Sequence, residues 1–126
     1  MKTIQEIYED LINAMISGFA HCRAIYDANG KMIDWIFLVV NTSFRKQSGI
    51  KVDPLGKTVS VILPTLRTDN PDLFLRYERV AKMGVSEYFD LFVPTTNRHY
   101  DVSVYSVEKD TFTVIFNDIT DRMTHA

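Results

Sequence analysis

Ile4, Ile7, Tyr8, Leu11, Ile12 and Met15 recur at steps of three and four, with Gln5, Glu6, Glu9, Asp10 and Asn13 between them. This spacing predicts an amphipathic helix with one apolar stripe. Thr3 is placed to cap it with Glu6 as its capping-box partner, and Ser17-Gly18 to end it. The period then changes. Phe19 to Tyr26 reads as a strand, Asp27-Ala28-Asn29-Gly30 as a tight turn, and Lys31 to Val40 as a returning strand rich in β-branched and aromatic residues. That strand is apolar on both faces: regular alternation puts Trp35, Phe37 and Val39 on one and Ile36, Leu38 and Val40 on the other. Both faces then need cover, and the stripe of the first helix is expected to cover one.

The middle of the chain is helical in short pieces. Asn41 is an N-cap for a helix through Phe44 and Gln47 that stops at Gly49. Val52 to Lys57 reads as a helical turn, Thr58 to Leu63 as a short helix stopped by Pro64, and Thr65 to Thr68 as a loop. The β-branched residues of Thr58 to Leu63 leave a strand open by propensity. Pro71 to Met83 is the longest later helix. Asp69 or Asn70 would cap it, Leu73, Phe74, Tyr77, Val80 and Ala81 form its apolar face, and Gly84 ends it. Three strands follow, Val85 to Val93, His99 to Val107 and Thr111 to Asn117, joined by polar turns. Strands at both ends of a helical middle predict an α+β domain with an antiparallel sheet.

Composition narrows the class. The 126 residues are 46% hydrophobic and 24% charged, which suits one globular domain. A formal net charge of −2 argues against a general grip on nucleic acid. No run is long enough to insert directly into a membrane, and the first residues do not form a secretory signal, so a cytoplasmic location is expected. One cysteine excludes an internal disulfide and a multi-cysteine zinc site, and no metal site is expected elsewhere. Cys22 reads as a small buried residue. His21 and Cys22 are adjacent on a strand and point to opposite faces, so they form no nucleophilic pair. His99 and Asp101 share a face but lack the partners of an acid–base site, and no catalytic residue is expected.

Several pieces in order carry a resemblance: Gly18-Phe19-Ala20, Asn29-Gly30, Asn41-Thr-Ser-Phe44, Gly56-Lys57-Thr58, Leu63-Pro64, Tyr100-Asp-Val-Ser103, and Phe116-x-Asp118-Ile119-Thr120-Asp121-Arg122. From Gly18 to Arg122 the chain resembles a PAS domain, the sensory module of signalling proteins such as histidine kinases and diguanylate cyclases. The resemblance implies a five-stranded antiparallel sheet of order 2-1-5-4-3 with helices on one face. It divides the chain into a flanking helix (1–17), the domain (18–122) and the start of a signalling helix or linker (123–126). It also implies an output domain covalently linked in a parent protein, reached through a junction at Asp118, Thr120 and Arg122.

The same resemblance implies a cavity between sheet and helices that binds a small organic ligand. Its candidate walls are Leu38, Val40, Phe44, Ile62, Phe74, Tyr77, Val102, Val104 and Phe116, with Arg23, His99, Ser103 and Tyr105 as candidate polar groups. The cysteine that bonds flavin in photosensory relatives is missing from the middle helix, and the histidine that ligates haem is missing from the long one, which argues against both cofactors. Relatives commonly pair through the flanking helix, so Ile4, Ile7, Tyr8 and Leu11 are candidate contacts of a homodimer. The expected function is a non-catalytic sensor domain. Its rivals are a ligand-free PAS module for protein–protein contact and a small-molecule enzyme using His99 or Asp101.

Overall fold

The computed structural model describes residues 1–124. Eleven elements follow in order: α1 (Ile4–Ala14), β1 (Gly18–Tyr26), β2 (Met32–Val40), α2 (Thr42–Gln47), α3 (Val59–Ile62), α4 (Leu66–Asp69), α5 (Pro71–Met83), β3 (Glu87–Val93), β4 (Arg98–Tyr105), β5 (Thr111–Asp118) and α6 (Thr120–Thr124). The strands form one antiparallel sheet of order β2-β1-β5-β4-β3. The first and last strands of the chain are therefore central neighbours. Among the described residues no helix is long and apolar enough to cross a membrane.

The core lies between the sheet and α2 to α5. Val80 and Ala81 of α5 bury against the inner face with Val104 and Phe112. Trp35 centres an aromatic cluster, with ring centroids 4.8 Å from Phe74, 5.2 Å from Tyr77 and 5.6 Å from Phe112. Such tilted and edge-on pairs add to the gain from burial alone.

Local chemistry explains most element ends. Thr3 and Glu6 form the reciprocal capping box. Asn41 caps α2 by accepting from Phe44 N at 2.8 Å, and it does more. The same Oδ1 accepts from Phe19 N at 2.9 Å, while Nδ2 donates to Ile12 O at 2.8 Å and Ser17 O at 3.0 Å. Fully buried, this one amide ties α1, β1 and α2 together. Gly84 ends α5 at φ 74°, in the left-handed region that glycine enters without steric cost.

Four expectations need correction. First, β2 does not alternate regularly. Cys22 pairs with Phe37 but His21 with Val39, so Leu38 is an extra residue; Ile25 pairs with Asp34 but Tyr26 with Met32, so Ile33 is another. Each bulge reverses the parity beyond it. Met32, Trp35, Phe37 and Val40 therefore all face inward, and Val39 lies on the outer face. Second, α1 buries no residue and does not cover the sheet. Third, Leu66–Asp69 is a helical turn anchored by buried Leu66, where a loop was expected, and Val52 to Lys57 is not helical. Fourth, neither Asp69 nor Asn70 caps α5 with its side chain. Asn70 instead donates from Nδ2 to Phe92 O at 2.9 Å, and Asp69 accepts from Thr65 Oγ1.

Candidate functional site

A cavity of about 100 Å³ lies between the inner sheet face and the short helices. Its floor is formed by Ala20 and Cys22 of β1, Trp35 and Phe37 of β2, Tyr100 and Val102 of β4, and Val114 and Phe116 of β5. Its roof comes from Phe44 and Ser48 at α2, Val59 and Leu66 of α3 and α4, and Leu73 and Tyr77 of α5. The shape at one end follows from edge-on aromatic packing. Phe116 stands at 81° to Phe44 and 87° to Tyr100, with centroids 5.5 and 5.4 Å away. Gly18 makes room for it, since a Cβ there would lie 2.4 Å from the Phe116 Cζ.

Of the sequence-predicted walls, Phe44, Tyr77, Val102 and Phe116 line this cavity. Val40, Phe74 and Val104 are buried and Ile62 half-buried, but all four are packing behind the walls. Leu38 is exposed, because it is the bulged residue. The four polar candidates are also displaced. On β4, Tyr100, Val102 and Val104 face inward, so His99, Ser103 and Tyr105 face outward by the two-residue period. Arg23 is outward on β1 for the same reason. The His99 ring packs on Phe92, 4.6 Å between centroids, on the side away from the cavity. His21 is also outward, its Nδ1 2.8 Å from Thr113 Oγ1, with its pKa lowered mainly by burial.

Sequence reasoning missed Trp35, Phe37, Cys22 and Tyr100 as walls. For Tyr100 the signal was present: apolar Tyr100, Val102 and Val104 alternate with polar His99, Asp101 and Ser103. Cys22 is fully buried, and loss of hydration pushes its thiol pKa strongly up, so it stays protonated. Tyr100 is also raised, chiefly by burial.

The junction does not line this cavity but is bonded to residues next to it. Asp118 Oδ1 accepts from Thr120 N at 2.9 Å and from Thr120 Oγ1, the local turn that opens α6. Thr120 Oγ1 also accepts from His99 N at 3.0 Å, and Ile119 N donates to His99 O at 2.8 Å. The end of α2 joins this network. Asp118 N donates to Gln47 Oε1 at 2.8 Å, Arg98 Nη1 donates to Gln47 O at 2.7 Å, and the Tyr100 hydroxyl donates to the carbonyls of Gln47 and Ser48 at 3.0 and 3.1 Å. Arg98 also pairs with Asp118 at 3.8 Å. Arg122 is exposed on α6. That helix begins at Thr120, before the segment 123–126 named from the sequence, of which His125 and Ala126 lie outside the described residues.

Helix α1 buries no residue, and Ile4, Ile7, Tyr8 and Leu11 are all exposed. Its C-terminal end is fastened to α2 by Ser43 Oγ donating to Met15 O at 2.7 Å and Gln47 Nε2 to Ile16 O at 2.8 Å.

No family model matches the sequence, and no curated protein matches it. Solved structures do. A domain of an HTR-like protein from Haloarcula marismortui ATCC 43049 is 22% identical, with a TM-score of 0.59 over 84% of this chain and 100% of that one. A domain of the putative light and redox sensing histidine kinase from Haloarcula marismortui is 16% identical, with a TM-score of 0.58 over 91% of this chain and 99% of that one. The PAS domain of BvgS from Bordetella pertussis is 18% identical, with a TM-score of 0.49 over 96% of this chain and 89% of that one. The 2-1-5-4-3 antiparallel order with helices gathered on one face is the PAS fold, and the two Haloarcula marismortui domains share it.

Proposed function

We propose that this domain is a non-catalytic sensor module of a signalling protein, in which a small ligand in the inner cavity alters how α6 leaves the sheet. The observation that carries this reading is the shared use of Tyr100, Ser48 and Gln47. Tyr100 and Ser48 line the cavity, and the Tyr100 hydroxyl bonds the backbone of the Gln47–Ser48 pair, whose Gln47 side chain holds Asp118. A ligand that favours one position of Tyr100 over another therefore favours one position of the junction. It shifts that equilibrium only by its differential affinity for the two states.

The lining carries no histidine to ligate haem iron as the resemblance implies, and its cysteine, Cys22, lies on β1 rather than on the middle helix where flavin-bonding relatives carry theirs. Burial pushes the pKa of Cys22, the cavity's own cysteine, up, which disfavours the reactive thiolate. Dimerisation belongs to the same proposal. The uncovered α1 stripe of Ile4, Ile7, Tyr8 and Leu11 would meet the same stripe of a second copy, placing two exit helices side by side for an output domain.

The test is a thermal-shift screen of the purified domain against small metabolites, followed by hydrogen exchange on any hit. A stabilising compound that changes exchange at Asp118 and Ile119 is expected. If no compound stabilises the fold while the domain still binds a signalling partner, the ligand-free interaction module replaces this reading. The dimer is read separately by sedimentation, where Leu11→Glu should give monomer.

A further inference from the structure

The cavity's polar groups are not equivalent. No charged side chain lines it. Ser48 Oγ accepts from Ile50 N at 3.2 Å, Thr96 Oγ1 donates to Val93 O at 3.5 Å, and the Tyr100 hydroxyl bonds two carbonyls. Tyr77 stands apart. Its ring is buried against Trp35 and Phe112, yet its hydroxyl has no hydrogen-bond partner among the described residues. Its surroundings are the cavity and the Cys22 thiol, a weak hydrogen-bonding group. The hydroxyl is not fully enclosed, since Asn70 Oδ1 is the one enclosed side-chain atom without a partner among the described residues; it borders open space, and Tyr77 lines the cavity, so its proton is free for an occupant there.

A single water would find at most the Tyr77 hydroxyl and the Trp35 indole N–H as partners, the low end of the two to four that hold buried waters. An ionised carboxylate or phosphate is worse, since it would shed its hydration with no counter-charge to receive it. Size sets a further limit. Apolar cavities of roughly 150 Å³ hold benzene or xenon, and this one is about 100 Å³.

We propose that the cavity selects a compact uncharged molecule, of one small ring or less and mostly hydrocarbon, whose single carbonyl or hydroxyl oxygen accepts a hydrogen bond from Tyr77. This rests on the ligand-binding reading above and adds the chemical class of the ligand. It explains why an otherwise apolar pocket keeps a tyrosine on α5 where phenylalanine would pack as well. Burial raises the Tyr77 pKa, which keeps the phenol a donor at any physiological pH.

The test uses three probes built on one five-membered ring: cyclopentanone, cyclopentane and cyclopentanecarboxylate. Trp35 is the sole tryptophan and lines the cavity, so its fluorescence reports occupancy, with thermal shift as a second readout. The ketone should bind the wild-type domain, and Tyr77→Phe should weaken it about 3- to 10-fold while leaving cyclopentane unchanged. The carboxylate should not bind at neutral pH. Equal ketone affinity in both proteins, or carboxylate binding as tight as ketone binding, overturns the proposal. If Tyr77→Phe fails to fold, the infrared carbonyl band of ketone bound to the wild type decides. A shift to lower wavenumber supports the hydrogen bond, and an unshifted band overturns it. If cyclopentane binds but the ketone gains nothing from Tyr77, only this inference fails. If neither these probes nor xenon perturbs Trp35, the ligand-binding reading itself fails.

Discussion

Gln47, the last residue of α2, accepts a hydrogen bond on Oε1 from the backbone N–H of Asp118, the last residue of β5, at 2.8 Å. The pairing continues the hydrogen bonding of β5 where the neighbouring strand no longer supplies a partner. It also fastens the exit of the sheet to a helix on the cavity roof. Arg98 and Tyr100 use the main-chain oxygen of Gln47, so they survive loss of its side chain. Gln47→Ala should therefore free the junction without opening the core. The expected cost is about 1–2 kcal/mol, because one half-buried N–H loses its acceptor. Amide exchange should rise at Asp118 and in α6, with little change at Val102 and Val104. Uniform acceleration across the sheet would show that Gln47 supports the fold as a whole.

Glu87 at the start of β3 receives Arg79 through two hydrogen bonds, Nε to Oε2 at 2.9 Å and Nη2 to Oε1 at 3.0 Å, with Arg76 Nη1 3.1 Å from Oε1. The Arg79 hydrogen bond is the main cause that holds the Glu87 pKa below its ordinary 4.5, partly opposed by desolvation. The sign follows from linkage. The folded carboxylate gives up its charge at lower pH than the unfolded one, so its contribution is fully present above the unfolded value. It fades as pH falls through the folded value. Glu87→Gln should be less stable than wild type near neutral pH, and the gap in Tm should narrow as pH falls below 4.5. A gap of constant size down to about pH 3 would show that the ion pair is not its source.

The strand count, the two long helices and the caps at Thr3 and Asn41 are legible because each depends on residues close in the chain. The inward list is not. Parity on β2 depends on bulges at Ile33 and Leu38, which exist only in the pairing with β1, so Leu38 was placed on the wrong side. On β4 the alternation is readable, but polarity alone does not say whether a residue meets ligand or solvent, and the period sets His99, Ser103 and Tyr105 outward. Gln47 gave no signal at all, since its partner is 71 residues away. The α1 stripe was correctly read as apolar, but a stripe does not say what covers it.

Asn41 offers a direct measure of how far one side chain organises the start of the domain. It makes four hydrogen bonds to backbone groups of three elements and the linker before β1, from a position fully shielded from water. Asn41→Ala removes the α2 cap and leaves several backbone groups without partners, so a loss of about 2–4 kcal/mol is expected. Asn41→Asp keeps both acceptor contacts, to Phe19 N and Phe44 N, but loses both donor contacts. In chemical denaturation Asn41→Asp should retain β1–α2 protection while α1 frays. If the two variants lose the same protection, the amide acts only as a cap.

Gly18 and Phe116 face each other across β1 and β5, paired in register. The Phe116 ring lies over the glycine so closely that a Cβ would sit 2.4, 2.6 and 2.8 Å from three of its atoms. The ring has little freedom to withdraw, because Phe44 and Tyr100 hold it edge-on from two sides. The open direction is the cavity, which Phe116 lines. Gly18→Ala should therefore push the ring inward, costing about 1–3 kcal/mol as overpacking does and reducing the free volume. A double variant, Gly18→Ala with Phe116→Leu, should recover part of that stability, since the shorter side chain yields where the ring cannot. Denaturation midpoints of the two variants, compared with wild type and Phe116→Leu alone, give the coupling between the sites. A coupling near zero would mean that the added methyl is accommodated by backbone movement and that Phe116 stays where it is.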